Sequence, residues 1–219
     1  MPDGGRDSFS ETAERPGAVI LARHGEPALS RSIRLSADEY REWWADYEMG
    51  GLAEGQKPPE ALQRIAAQAG FIIASTRPRS VETARALSCG RAFAEDPLFI
   101  EAPLPPPHWP RWLKLSPRYW GFISRFWWWW FDHHDEQETK RQAQARADEA
   151  ARLLADLAAG GQDVLVVAHG FFNTMVGVSL HKLGWRCTAD GLSLLPPMIR
   201  PMAPYWPYWA ARRFDLARA

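Results

Sequence analysis

The sequence of 219 residues has only two cysteines, Cys89 and Cys187, and no CxxC pair. A disulfide framework and a cysteine zinc site are therefore excluded. Lysine is scarce: only Lys57, Lys114, Lys140 and Lys182 stand among 26 basic residues, and the rest are arginine. Net charge is lacking too, with 26 basic against 26 acidic residues, so no overall field draws the chain to nucleic acid or to an anionic membrane. No apolar run reaches the roughly 18 residues of a membrane span. The polar opening MPDGGRDSFSETAERPG lacks the apolar stretch of an export signal. These absences point to a reducing, cytoplasmic compartment, with no nucleic-acid partner and no transmembrane segment. Tryptophan, by contrast, is plentiful: there are 12, many of them between Trp109 and Trp130. At 46% hydrophobic and 24% charged residues, the composition is that of one folded domain.

Residues 1–16, rich in Gly, Ser and charge, read as a flexible leader, and 17–219 as a single domain. Three short, continuously apolar runs mark strands buried on both faces: Ala18–Ala22, Phe71–Ser75 and Asp163–Ala168. A weaker strand fits within Arg91–Phe99. Between them lie helical patterns. Ser36 and Glu39 form a capping box for a helix to about Glu48, stopped by Gly50-Gly51. A helix over Pro58–Ala69 ends at Gly70, and Pro78 opens another that reaches about Leu87. Asp135 and Glu138 are placed to cap a long helix ending before Gly160-Gly161, and an apolar helix spans about Gly170–Leu183. Strands alternating with helices imply an α/β fold: a three-layer sandwich with a mainly parallel central sheet and helices on both faces.

Each strong strand runs into a polar cluster: Arg23-His24-Gly25-Glu26, then Thr76-Arg77-Pro78-Arg79, then His169-Gly170. Parallel strands place their carboxyl ends along one edge, where open α/β folds bind ligands. Two histidines and up to three arginines would meet there, a set suited to a phosphoryl group. Guanidinium forks match its oxygens, and a neutral imidazole can attack phosphorus.

LARHGE at 21–26 resembles the Arg-His-Gly signature of the histidine phosphatase superfamily, which includes cofactor-dependent phosphoglycerate mutase. Ser75–Ala84 is similar to its Ser-Pro-x-x-Arg-Ala-x-x-Thr-Ala stretch, with Thr76 for the proline and Ser80 for the alanine, and VLVVAHG at 164–170 is similar to its late strand and His-Gly. The resemblance spans about residues 18–183. It implies a phosphoglycerate mutase-like fold, His24 as the nucleophile that becomes phosphohistidine, Arg23 and Arg79 as phosphoryl clamps, and His169 as the second histidine. Gly25 and Gly170, lacking Cβ atoms, would let the backbone approach the phosphate, with amides near Gly170 as further donors. Glu101 matches the family's general acid; Glu26, beside the nucleophile, is the rival. Arg77 has a weaker claim and reads as a solvated helix end.

Asp132-His133-His134-Asp135-Glu136 reads as the start of a helix and not as a metal site, because adjacent histidines on a helix point about 100° apart. No metal and no cofactor are expected. The run Trp127–Trp130 cannot face one core on any regular element. The segment at about 103–135 reads as an aromatic cap over the phosphate pocket, forming an apolar wall for the leaving group or covering the core and a homodimer partner. The tail Pro204–Phe214 reads as a final edge strand with aromatic packing. The function implied is hydrolysis of a phosphate monoester by a metal-independent histidine phosphatase. Its substrate would be small and phosphorylated, with room for an apolar or aromatic moiety. Phosphatase is preferred to mutase because a doubly charged sugar acid would want several extra cations. The alternatives are a mutase-like phosphotransferase, a catalytically idle binder of a phosphorylated ligand or a protein, and a peripheral membrane module built on the tryptophans.

Overall fold

A computed structural model of the chain describes residues 15–188 and 206–217, so most of the expected leader and the first residues of the tail lie outside the described residues. Its elements in order are β1 (Val19–Arg23), α1 (Ala37–Met49), α2 (Glu60–Gln68), β2 (Phe71–Ala74), α3 (Pro78–Ser88), β3 (Ala94–Glu95), a 3₁₀ turn (Pro97–Phe99), α4 (Pro117–Phe131), α5 (Lys140–Ala159), β4 (Val164–Ala168), α6 (Gly170–Lys182), β5 (Trp185–Cys187) and β6 (Ala211–Leu216).

The six strands form one mixed sheet in the order β3-β2-β4-β1-β6-β5. The first four are parallel, with β4 between β1 and β2. Alternation along β1 sends its side chains into two cores. Val19 and Leu21 pack with α5 and α6, while Ile20 and Ala22 pack with α2 and α3. Helices therefore cover both faces, and this is why β1 and β4 read as unbroken apolar runs.

The far side of the sheet departs from expectation. β6 is not an edge strand. It lies antiparallel to β1 and carries β5 on its outer side, also antiparallel. β5 has only three residues, and β6, at six the longest strand, mixes charged with apolar residues, its Phe214 buried and its Arg213 exposed.

The tryptophan run lies on α4. Trp120, Ser124 and Trp128 recur every fourth residue and are all buried, so one helical face takes the inward tryptophans, while Trp127 and Trp129 are half-buried beside it. Trp120 joins Tyr40, Trp43 and Tyr47 of α1 in a separate aromatic cluster; Trp128 joins the main core beside Phe171. Both buried indoles are satisfied: Trp120 Nε1 donates to Leu35 O (2.7 Å) and Trp128 Nε1 to Glu138 O (3.0 Å). Trp130 and Phe131 end the helix exposed.

Asp135 and Glu138 do not cap α5. Thr139 does, in a capping box with Gln142. Glu138 instead holds Arg146 through both carboxylate oxygens (2.8 and 2.7 Å), and Asp135, at φ 48°, bonds Arg41. His133 and His134 accordingly lie after α4 and not on a forming helix.

Candidate active site

The carboxyl ends of β1, β2 and β4 meet. His24 N donates to Ala168 O (3.0 Å) and Ser75 N to Val167 O (3.0 Å), so the strand-end residues stay in register past the sheet. His24 follows β1, His169 is the N-cap of α6, and Arg79 sits in the first turn of α3 behind Pro78. His24 and His169 are buried, and Arg79 has 0% exposure.

Arg79 ties the pocket together. Its Nε donates to His24 Nε2 (3.3 Å) and its Nη2 to His169 Nδ1 (3.3 Å). From behind, Nη1 donates to Tyr47 O (2.8 Å) and Nη2 to Glu48 Oε1 (2.6 Å). One edge of the guanidinium is thus anchored while the other faces both imidazoles. The two rings stand edge to face, with centroids 5.1 Å apart.

These bonds fix the tautomers. Arginine can only donate, so His24 Nε2 and His169 Nδ1 are bare nitrogens. His24 Nδ1–H then donates to Gly25 O (2.7 Å), and His169 Nε2–H to Ser75 Oγ (2.9 Å). Burial, with Arg23 and Arg79 beside it, holds His24 well below the usual histidine range. Burial and then Arg79 do the same for His169. Both imidazoles are neutral at neutral pH.

Glu101 and Glu26 both line the cleft, but in different settings. Glu26 is exposed. Glu101 accepts the Phe172 amide (2.8 Å) and the Phe171 amide (3.3 Å) at the start of α6. Burial pushes its carboxyl above the ordinary range, outweighing those two amides. Since Glu101 takes these amides, the donors expected near Gly170 are already engaged. Gly170 itself lines the cleft beside Arg23. Gly25 also has a reason other than the one expected: a Cβ there would lie 2.4 Å from the Trp209 indole.

Trp209 belongs to the tail, which builds the site and does more than pack. Trp206 O accepts from Arg23 Nη1, and the Tyr208 ring lies 4.1 Å from the Arg23 guanidinium and 5.7 Å from the His24 ring. Arg77 is not a solvated helix end: it pairs with Glu48 Oε2 (2.6 Å), the carboxylate that also anchors Arg79. Sequence reasoning passed over Ser75 as a partner, Tyr47, Glu48, Trp206 and Tyr208. Only Ser75, at the end of a recognised strand, carried a local signal.

The cleft holds about 830 Å³. Leu104, Gly121 and Phe122 give it apolar surface, but none of Trp127–Trp130 lines it. α4 contributes Arg118 and Arg125 instead, and Arg31 and Arg212 join them. The expectation of a wall poor in extra cations is therefore overturned, and with it the ground drawn from the sequence for preferring phosphatase to mutase; nor does the tryptophan run supply the apolar wall. Among the described residues no cluster of three His, Cys, Asp or Glu could hold a metal ion, and no helix is long and apolar enough to cross a membrane.

Residues 19–186 match the family model described as histidine phosphatase superfamily (branch 1). No curated protein matches the chain. Several solved structures resemble it. A mycobacterial glucosyl-3-phosphoglycerate phosphatase in complex with VO3 aligns at TM-score 0.55 and 18% identity, over 91% of this chain and 98% of that one. An ecdysone phosphate phosphatase from Bombix mori in complex with tungstate aligns at 0.54 and 16%, over 93% and 92%. A phosphoserine phosphatase mutant from Entamoeba histolytica aligns at 0.50 and 18%, over 76% and 80%.

Proposed function

Because this chain belongs to the histidine phosphatase superfamily (branch 1), we propose that it hydrolyses a phosphate monoester through a phosphohistidine on His24. The observation that carries this reading is the Arg79 fork. Its Nε and Nη2 each face a bare histidine nitrogen, and phosphoryl oxygens entering between them would take over those two N–H groups. Arg23, at the same strand end, clamps from the other side.

His24 Nε2 attacks phosphorus in line, the P–O ester bond breaks, and the leaving oxygen takes the proton of the Glu101 carboxyl. Water then attacks the phosphohistidine and loses a proton to the Glu101 carboxylate. The P–N bond breaks, releasing inorganic phosphate and neutral His24. His169 Nδ1, bare in the free pocket, takes up a proton under the charge of the phosphoryl group and then donates to an equatorial oxygen. No metal takes part in this scheme: Arg23, Arg79 and protonated His169 supply the donors. The segment at about 103–135 is the cap.

The structural neighbours' descriptions as phosphatases support water as the acceptor. The arginine-rich wall favours one second reading, transfer to another hydroxyl as in a mutase. Product analysis separates the two, as inorganic phosphate or as a new ester. Release of p-nitrophenol from its phosphate tests the first reading: turnover is expected for the natural chain and loss of at least about 10³-fold for His24→Ala, as no other group can carry the phosphoryl intermediate. Undiminished turnover in that variant rejects it.

A further inference from the structure

The chain enters β6 through a turn that carries a strained residue. Ala210 N donates to Pro207 O (3.2 Å), and Trp209 stands at φ 62°. A bulky aromatic residue occupies this left-handed region only at a cost. Such a cost persists where the surroundings over-determine the conformation, and it gathers at functional sites. Residues 206–210 also lie beyond the stretch 19–186 that matches the family model, so the turn stands apart from the motifs that mark the pocket.

Three neighbours hold the turn. Trp209 N donates to His24 O (3.3 Å) and Arg23 N to Ala210 O (2.9 Å), so the turn pairs with the strand end that carries the nucleophile. The Trp209 indole Nε1 donates to Gln56 Oε1 (2.9 Å). That amide is itself locked. Gln56 Oε1 also accepts from Glu26 N (2.7 Å), and Gln56 Nε2 donates to Glu26 O (2.6 Å) and Ala53 O (2.9 Å). One side chain thus grips the turn on one flank and the backbone just past His24 on the other.

What the turn presents is a mount for Arg23. Trp206 O accepts from Arg23 Nη1, and the Tyr208 ring covers the Arg23 guanidinium at 4.1 Å. The first contact fixes the fork within its plane, and the second fixes the plane. Arg31 Nη1 donates to the Tyr208 hydroxyl (2.9 Å), pinning the far end of the ring. A guanidinium held in both senses keeps a constant aim on the cleft that it lines, and positioning of that kind is paid before substrate arrives.

We propose that Tyr208 is a positioning residue for Arg23, with Trp209 and Gln56 as the latch that keeps Tyr208 in place. The inference rests on Arg23 as a clamp on the phosphoryl group and adds the element that aims it.

A double-mutant cycle in p-nitrophenyl phosphate turnover tests this. Tyr208→Leu is expected to lower kcat/KM about tenfold, the order of one desolvated cation–π contact. Tyr208→Phe keeps the ring face and is expected to stay within about threefold of the natural chain. In an Arg23→Lys background, Tyr208→Leu is expected to cost no more than about twofold, because an ammonium has no planar fork for the ring to aim. Where Arg23→Lys turns over too slowly to assay, calorimetric affinity for vanadate supplies the same cycle. If Tyr208→Leu fails to fold, Tyr208→Met, nearer in volume, takes its place. Gln56→Ala is expected to reproduce part of the Tyr208→Leu loss, and full activity in that variant removes the latch. A merely structural tail would cost the same with arginine or lysine at position 23. Equal costs in the two backgrounds, or no cost in either, overturn the role of Tyr208 and leave the phosphoryl pocket standing. Absence of turnover by the natural chain removes the pocket reading as well.

Discussion

At the scale of a single residue, the proposed mechanism makes Arg79 a switchable donor, satisfied by two imidazoles until phosphoryl oxygens replace them. Its position is set from behind by Glu48 and Tyr47 O, so the fork need not reorganise when substrate enters. Glu101 is the other decisive residue. It could be no more than a cap for α6, as its bonds to the Phe171 and Phe172 amides show, but a cap has no use for a carboxyl whose affinity for protons is raised by burial. An acid has. Glu101→Gln is therefore expected to slow an alkyl phosphate by about 10²–10⁴-fold and p-nitrophenyl phosphate far less, because a nitrophenolate leaves unprotonated. In the natural enzyme, alkyl phosphate turnover should fall as pH rises through the elevated carboxyl range. Steady-state rates on both esters across pH check this. Equal losses on both esters would leave Glu101 a cap.

The helices divide by how openly their boundaries are written. Ser36 and Glu39 announce α1, and the capping box is there. For α5 the same reasoning chose Asp135 and Glu138, three residues apart like the true pair, but each is committed to an arginine brought up by the fold. Arg41 and Arg146 lie far enough away or deep enough in the next helix that no local pattern reveals the competition. Thr139→Ala is expected to cost about 1 kcal/mol by denaturant titration, and Asp135→Ala clearly less, as a partly exposed ion pair is worth well under about 1 kcal/mol. The reverse order would return the cap to Asp135. α4 was hidden by its own excess: with Phe126–Phe131 all aromatic, no period stands out, and only packing shows Trp128 turning inward. β5 is only three residues long and β6 mixes charged with apolar residues, so neither has the unbroken apolar run that gave β1, β2 and β4 away.

Across the whole molecule, the histidines, Arg23 and Arg79 were legible because each sits at the end of a buried strand or the start of a helix behind one. Trp206 and Tyr208 were not, because they reach Arg23 across more than 180 residues of chain, a separation that leaves no trace in local sequence. Arg31 was equally silent, since its Nη1 donates to the Tyr208 hydroxyl across 177 residues of chain. Burying two histidines as neutral rings also couples site to stability. Unfolded, each binds a proton near its ordinary value of 6.5, while folded it resists until well below that. The unfolded state thus takes up more protons in this window, so stability is full above about pH 6.5 and declines as pH falls toward the depressed values. Denaturant midpoints should drop on acidification across this range, and drop less in a His24→Asn, His169→Asn double variant; an equal drop would place the sensitivity elsewhere. The most direct test of the chemistry is to quench the enzyme during turnover of a labelled phosphate ester and locate the label. Acid-labile, base-stable phosphate on His24 is the predicted result. Label on a serine or an aspartate, or none at any quench time while phosphate is released, would contradict the phosphohistidine mechanism.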